Sequence, residues 1–246
     1  MNPARAYRAL YQALCGVHPD LRPWHSQWLA GSIVYQELRS ALAQVGGDVL
    51  DVGCGSKPYE RWVSGARRYV GVDVAAGPTV DALIEPGRSW PLEDSSFDTV
   101  LCTQVLEHAA DVEHTLAEIA RVLRPGGALI VTAPFIYNQH DAHDYRRFSV
   151  RGLSHLLAPR FEIVDVTAQG GVGSSLGILL LNWIELSMTS SRSRLAAFMA
   201  LLPAWLALCA AVNACGWALD RIDGTGACYG NVLVRARKPA ASTASA

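Results

Sequence analysis

Four residues carry the first chemical signal in this chain: Asp51, Gly53, Gly55 and Asp73. They stand in residues 49–59, Val-Leu-Asp-Val-Gly-Cys-Gly-Ser-Lys-Pro-Tyr, and in residues 69–74, Tyr-Val-Gly-Val-Asp-Val. Glycine takes positive φ and lets a ligand approach the backbone, so Gly53 and Gly55 after an apolar run make a turn that can hold a small polar group. Taken alone, the turn is weak evidence. Lys57 stands where a Gly-x-Gly-x-Gly run would put its third glycine, and a purely structural bend accounts for it about as well. Asp73 changes the balance. It ends a second apolar run 22 residues after Asp51, close to the spacing of about 20 at which an acid binds a ribose in open α/β sheets. Its two carboxylate oxygens match two adjacent O–H donors. A nucleoside site is the expectation.

A second cluster fills residues 134–148, Pro-Phe-Ile-Tyr-Asn-Gln-His-Asp-Ala-His-Asp-Tyr-Arg-Arg-Phe. So polar a loop after a buried strand is a natural place for acceptor contacts. Histidine takes a proton near neutral pH, which makes His143 and His140 the candidate general bases. Ion pairs that brace the loop, through Asp144 and Arg147, are the competing role.

The elements that must position these groups follow from periodicity. Residues 3–14 predict a helix with Tyr7, Leu10, Tyr11 and Leu14 on one face, and a second helix covers residues 26–43. Strands are expected at 49–52, up to Asp73, at 79–83, 99–102, 128–133, 161–166 and 229–237. A helix is expected to begin over 59–64, directly after the glycine turn. Asp111 and Ser149 open two more helices, Ser149 as an N-cap. Thr103 and Gln104 fall at the carboxyl end of a strand, the crevice end of a parallel sheet, where ligands sit.

Taken together, these motifs resemble a class I S-adenosylmethionine-dependent methyltransferase with a methyltransferase type 11-like domain. The resemblance rests on Leu50-Asp51-Val52-Gly53-Cys54-Gly55, on Gly71-Val72-Asp73, on Trp90-Pro91-Leu92-Glu93-Asp94-Ser95-Ser96-Phe97-Asp98, on Thr103-Gln104-Val105-Leu106-Glu107-His108, and on Arg121-Val122-Leu123-Arg124-Pro125-Gly126-Gly127. It covers residues 49–135 and is specific for fold and cofactor, not for the acceptor. It implies an α/β fold: a Rossmann-like seven-stranded sheet, parallel except for an antiparallel last strand paired with strand six. It also implies S-adenosyl-L-methionine as cofactor, held by Asp51, Gly53, Cys54, Gly55, Asp73, Val74, Asp81, Thr103 and Gln104. The helix after the turn would offer its free N–H groups to the methionyl carboxylate. Some relatives hold a metal with acids near Glu107; Gln104 stands where one of them would be needed, so no metal is expected, and Glu107 and His108 are read as structural hydrogen-bonding groups. Residues 140–148 resemble a signature of a methyltransferase subgroup associated with glycan and secondary-metabolite pathways.

The domain organisation implied is an N-terminal helical cap (1–46), a core (47–170), an apolar helical insertion between strands six and seven (171–228), the final strand (229–238) and a small-residue tail (239–246). Within the cap, Trp24, His25 and Trp28 are read as packing residues rather than ligand contacts. The formal net charge of −1 provides no basic field for phosphate backbones, so nucleic acid is not an expected partner. The six cysteines show no C-x-x-C pair and are read as reduced thiols of a cytoplasmic protein. Runs 172–186 and 195–219 are strongly apolar, and Pro203 predicts a kink in the second. An apolar cover is the first reading of this insertion, serving an acceptor pocket, a homodimer face or peripheral membrane contact; spanning is the minor one. Three functions stay open: O-methylation of a small molecule or glycan, methylation of a lipid-like or prenylated acceptor at a membrane, and non-catalytic cofactor binding.

Overall fold

Short runs of apolar, often β-branched residues set the frame. The computed structural model describes residues 3–240. The chain opens with helix α1 (Pro3–Cys15), a small antiparallel hairpin of β1 (Gly16–Val17) and β2 (Asp20–Leu21), and helix α2 (Trp28–Leu42). Then come β3 (Gly46–Val52), β4 (Gly65–Asp73), β5 (Ala82–Leu83), β6 (Phe97–Thr103), α3 (Val112–Val122), β7 (Leu123–Pro134), α4 (Val150–Leu157) and β8 (Glu162–Gln169). Helices α5 (Val172–Thr189), α6 (Arg192–Ala200) and α7 (Leu202–Ile222) precede the last strand, β9 (Asn231–Arg237).

Seven strands form one sheet in the order β5-β4-β3-β6-β7-β9-β8. The pairs β3–β4, β3–β6, β4–β5 and β6–β7 are parallel, and β9 runs antiparallel to β7 from Asn231 opposite Pro134 to Arg237 opposite Ala128. The antiparallel last strand therefore lies between β7 and β8 and is hydrogen-bonded to both: strand six is its neighbour, as the resemblance implies, and strand five is a second, antiparallel partner. Parallel strands buried on both faces need near-continuous apolar sequence. Val49, Leu50, Val52, Val100, Leu101 and Cys102 meet that need and are buried. Asp111 caps α3 by accepting from the His114 amide, and Ser149 caps α4 by accepting from Gly152.

Two compact units divide the chain. One consists of Glu37–Phe135, Gln139–Ala168 and the chain from Asn231, and holds the sheet. Its core includes Leu38, Leu42, Val49, Val63, Leu101, Ile130 and Leu233. The other consists of the chain up to Gln36, Ile136–Asn138 and Gln169–Gly230. Here α1 and the insertion helices share a core of Tyr7, Tyr11, Cys15, Leu181, Phe198, Trp205 and Cys209. Helices α5 and α7 run side by side with Gly173 against Gly216; a Cβ on Gly173 would stand 2.1 Å from the Gly216 carbonyl oxygen. Absence of side chains there permits the close approach.

Several expectations need correction. No α-helix follows the glycine turn; only a 3₁₀ turn, Glu60–Trp62, lies there. Gly53, Gly55 and Lys57 all take positive φ, Pro58 follows, and β4 already begins at Gly65. Too few residues remain for an α-helix, so no helix N-terminus faces a cofactor carboxylate. On α1 the inward set is Tyr7, Tyr11 and Cys15, at spacing four, while Leu10 and Leu14 are exposed. Pro203 does not kink one helix but sits in the first turn of α7, where its missing N–H costs nothing. The third strand is only Ala82–Leu83. Of the expected tail, residues 241–246 lie outside the described residues.

Candidate active site

At the carboxyl end of β3 the backbone turns through Gly53 (φ +68°) and Gly55 (φ +48°). The Gly53 and Cys54 amides both donate to the Val72 carbonyl, at 2.8 and 3.1 Å, which ties the turn to β4. The two glycines serve different ends. A Cβ on Gly53 would stand 2.4 Å from Val105 Cγ2, so protein fills that side, whereas one on Gly55 would meet nothing within 4 Å. The open side of the turn is thus at Gly55. Its amide donates to Asp73 Oδ2 at 3.0 Å, and its carbonyl accepts from Thr79 Oγ1 at 2.7 Å. The Ala75 amide donates to Asp73 Oδ1 at 3.1 Å. Each Asp73 oxygen keeps acceptor capacity beyond its one backbone donor. A cavity of about 310 Å³ lies here, lined by Gly55, Ser56, Asp73, Ala75, Ala76, Gly77, Pro78, Thr79 and Val80.

Asp51 is 1% exposed and sits below this turn. Tyr69 Oη donates to its Oδ2 at 2.7 Å, and Oδ1 has no hydrogen-bond partner. Burial pushes its pKa up to about 7. Asp81 accepts from Lys57 Nζ at 2.6 Å and from the Gly71 amide at 2.7 Å, both on Oδ2. The Lys57 bond and then the Gly71 amide hold it below the usual carboxylate range. Gly71 makes room for this reach, since a Cβ there would stand 2.5 Å from Lys57 Cε and 2.6 Å from Cys54 Sγ. Cys54 is buried and its thiol is pushed up to about 11, which suits packing and not nucleophilic attack. Val74, beside Asp73, is 63% exposed. Thr103 is buried at the end of β6. Gln104, at φ +55°, turns its amide toward β7 and β9, donating to Thr132 Oγ1 at 3.1 Å and Asn231 Oδ1 at 2.8 Å. The structure thus gathers Asp51, Gly53, Cys54, Gly55, Asp73 and Val74 around one turn, joins Asp81 to it through Lys57, and gives Gln104 a bracing contact. Trp90, which opens the motif at 90–98, is buried with its amide on Glu118 Oε2 at 2.6 Å and is not among the cavity residues.

The loops after β6 and β7 bring a second set together. Asp144 has no side-chain exposure and pairs with His140 Nδ1 at 3.0 Å and with the Arg147 guanidinium, whose Nη2 lies 2.7 Å from Oδ2. Arg147, then the His140 amide and ring, hold the Asp144 carboxyl well below the usual range. The His108 ring meets His140 edge-on, with centroids 5.0 Å apart, and His108 Nδ1 lies 3.2 Å from the His143 carbonyl oxygen. His143 itself is exposed and pairs only loosely with Asp141, at 3.5 Å. Of the two candidate bases, His140 is the one backed by a buried carboxylate.

Glu107 corrects its expected role. It is fully buried, yet neither side-chain oxygen has a hydrogen-bond partner, and burial pushes its pKa up to about 7. The ring of His108 lies close by, with Nε2 4.0 Å from Oε1. Sequence reasoning also missed Tyr69 and Lys57 as parts of the turn. Tyr69 is adjacent to Asp51 only through the β3–β4 register, which pairs Val49 with Tyr69 and Asp51 with Gly71. Among the described residues no group of three or more His, Cys, Asp or Glu side chains is arranged to hold a metal ion.

Asp51 and Glu107 make stability depend on pH. Their unfolded values are about 3.9 and 4.3, so between about pH 4 and 7 the folded chain retains protons that the unfolded chain releases. Stability therefore falls as pH rises through that window. Glu107→Gln is expected to raise stability at pH 8 by on the order of 1–2 kcal/mol and to flatten the fall. Urea unfolding at pH 5 and pH 8 checks it; an equal or greater fall in the variant would show that Glu107 does not hold the proton.

Comparison with known proteins bears on the same residues. The methyltransferase domain family matches residues 50–131. A protein of Mycolicibacterium smegmatis named a probable S-adenosylmethionine-dependent methyltransferase is 38% identical over 112 residues, which span 42% of this chain and 43% of that protein. A ubiquinone biosynthesis O-methyltransferase of Rhizobium leguminosarum is 35% identical over 107 residues, 38% of this chain and 42% of that protein. The chain thus spans less than half the length of either. The crystal structure of an S-adenosylmethionine-dependent methyltransferase from Mesorhizobium loti shares the fold, with a TM-score of 0.51 at 20% identity over 85% of this chain and all of that one.

Proposed function

We propose, from the premise that residues 50–131 form a class I S-adenosylmethionine-dependent methyltransferase domain, that the chain transfers a methyl group to a hydroxyl of a small molecule or glycan unit. The buried Asp144 behind His140 is the observation that carries the choice of a hydroxyl. An alcohol must lose its proton as it attacks, and a positioned histidine is the side chain suited to take it. Asp144 fixes the ring through Nδ1 and stabilises the imidazolium that forms as His140 takes the proton. Arg147 in turn fixes Asp144, so the pair keeps one geometry through turnover. The relative from Rhizobium, named an O-methyltransferase, supports the reading.

The turn fits the cofactor on two observations. Asp51 Oδ1 is a buried carboxylate oxygen without a partner, suited to a cationic amino group, and Gly55 leaves open space beside Asp73. Asp73 accepts the ribose hydroxyls, Val74 offers an apolar surface to the base, and Gly53, Cys54, Asp81, Thr103 and Gln104 shape the surround. When bound, S-adenosylmethionine supplies an electrophilic methyl group on a sulfonium.

Incubation of the purified chain with methyl-labelled cofactor and the small-molecule fraction of a cell extract tests the proposal. The expected product is of low mass, with its label stable to mild alkali, as an ether is. Label on nitrogen or carbon would remove the hydroxyl. Tight cofactor binding without transfer to any fraction would favour a non-catalytic binding protein.

A further inference from the structure

We propose that the helical unit docks in the plane of an anionic lipid surface, through the apolar sides of α5 and α7 that the chain leaves uncovered. This goes beyond the methyl-transfer reading and does not depend on it. Both helices are long and apolar enough to cross a membrane, yet only 33% of α5 and 28% of the most apolar 18-residue window of α7 are buried. Core helices of that composition would be covered. On α5 the exposed positions are Leu176, Leu179, Leu180, Trp183 and Leu186, which recur at helical spacing and make one stripe. On α7, Leu208, Leu219 and Ile222 continue the pattern, with Ile222 79% exposed. Single exposed leucines are ordinary, but a contiguous apolar stripe marks an interaction surface.

Charge selects the occupant. Residues 171–222 contain two acids and three arginines. Both acids are used within the unit: Glu185 accepts from Tyr7 Oη at 2.9 Å and Ser26 Oγ at 2.8 Å, and Asp220 accepts from the Ser174 amide at 3.0 Å. The arginines, Arg192, Arg194 and Arg221, are exposed. Gly173 lies against Gly216 and Gly177 against Val212, so α5 and α7 are antiparallel. Arg221 therefore stands at one end of the pair and Arg192 and Arg194 at the other. Exposed Trp217 accompanies Arg221, whose guanidinium lies 3.5 Å from the ring centroid. Tryptophan and arginine at the rim of an apolar face suit the headgroup region of a bilayer. In a symmetric pairing with a second copy the same face would meet itself and bring arginine rims together.

The covered side decides between lying in the surface and crossing it. Helix α1 packs on α6, with Tyr7 and Phe198 ring centroids 5.6 Å apart, and turns Arg5, Arg8 and Gln12 outward. A spanning hairpin would carry that polar layer into hydrocarbon, at a cost of several kcal/mol for unpaired charge. Shallow, in-plane docking leaves it in water.

Co-sedimentation of the full chain with phosphatidylcholine vesicles, with and without phosphatidylglycerol, tests the proposal. Binding is expected to the anionic vesicles, with a blue shift of tryptophan emission, weakening in high salt and release by alkaline carbonate. Trp183→Glu with Leu186→Glu, at exposed positions, should lower binding at least tenfold. Each Arg→Ala change at 192, 194 or 221 should lower it about fivefold. Circular dichroism and cofactor affinity should match wild type, which keeps lost docking distinct from lost folding. No binding to either vesicle, retention after carbonate, or a soluble dimer split by the same glutamates would each overturn it.

Discussion

His140→Ala is expected to lower kcat by about 10²-fold or more, with cofactor affinity unchanged. The magnitude is that of a lost positioned base. His140 is tied to Asp144 at 3.0 Å, and Asp144 to Arg147, so the alanine removes the proton acceptor and leaves the Asp144–Arg147 pair in place. His143→Ala is the contrast. His143 is exposed, its ring pairing loosely with Asp141 and meeting Tyr145 edge-on, so turnover should stay within about twofold of wild type. Single-turnover rates with saturating cofactor and calorimetric cofactor binding, measured on both variants, separate the outcomes. Equal loss in the two would mean that the loop acts as a whole; loss in His143→Ala alone would transfer the role to His143.

Asp73→Ala should weaken cofactor binding by about 100-fold. Two hydrogen bonds from ribose hydroxyls to a carboxylate are worth roughly 1.5–3 kcal/mol each, and the same carboxylate also holds the Gly55 and Ala75 amides. Asp73→Asn keeps one acceptor oxygen and should lose less, about tenfold. Isothermal calorimetry measures both. Wild-type affinity in the alanine variant would take Asp73 out of the site, and with it the assignment of the neighbouring cavity to an adenosyl group.

Much of this arrangement was legible in the chain. The apolar runs gave the order of strands, the spacing of Asp51 and Asp73 placed two acids on successive strands, and Asp111 and Ser149 marked the helices that they cap. What could not be read depended on partners distant in sequence. The lack of a helix after Gly55 follows from positive φ at three alternate positions, Gly53, Gly55 and Lys57, of which only two are glycine. Glu107 looked like an ordinary hydrogen-bonding acid because its isolation is a property of its neighbours. Tyr11 and Cys15, rather than Leu10 and Leu14, face inward on α1 because the helix packs on a segment nearly two hundred residues away, and periodicity alone does not choose between adjacent faces.

The position of β9 has a consequence for synthesis. It follows the insertion in the chain, yet it is an inner strand of the sheet, flanked by β7 and β8. As the chain leaves the ribosome, β7 and β8 must both wait for the insertion to be completed before either gains this neighbour. Two open strand borders are then presented at once, and the nascent chain is prone to mispairing in that interval.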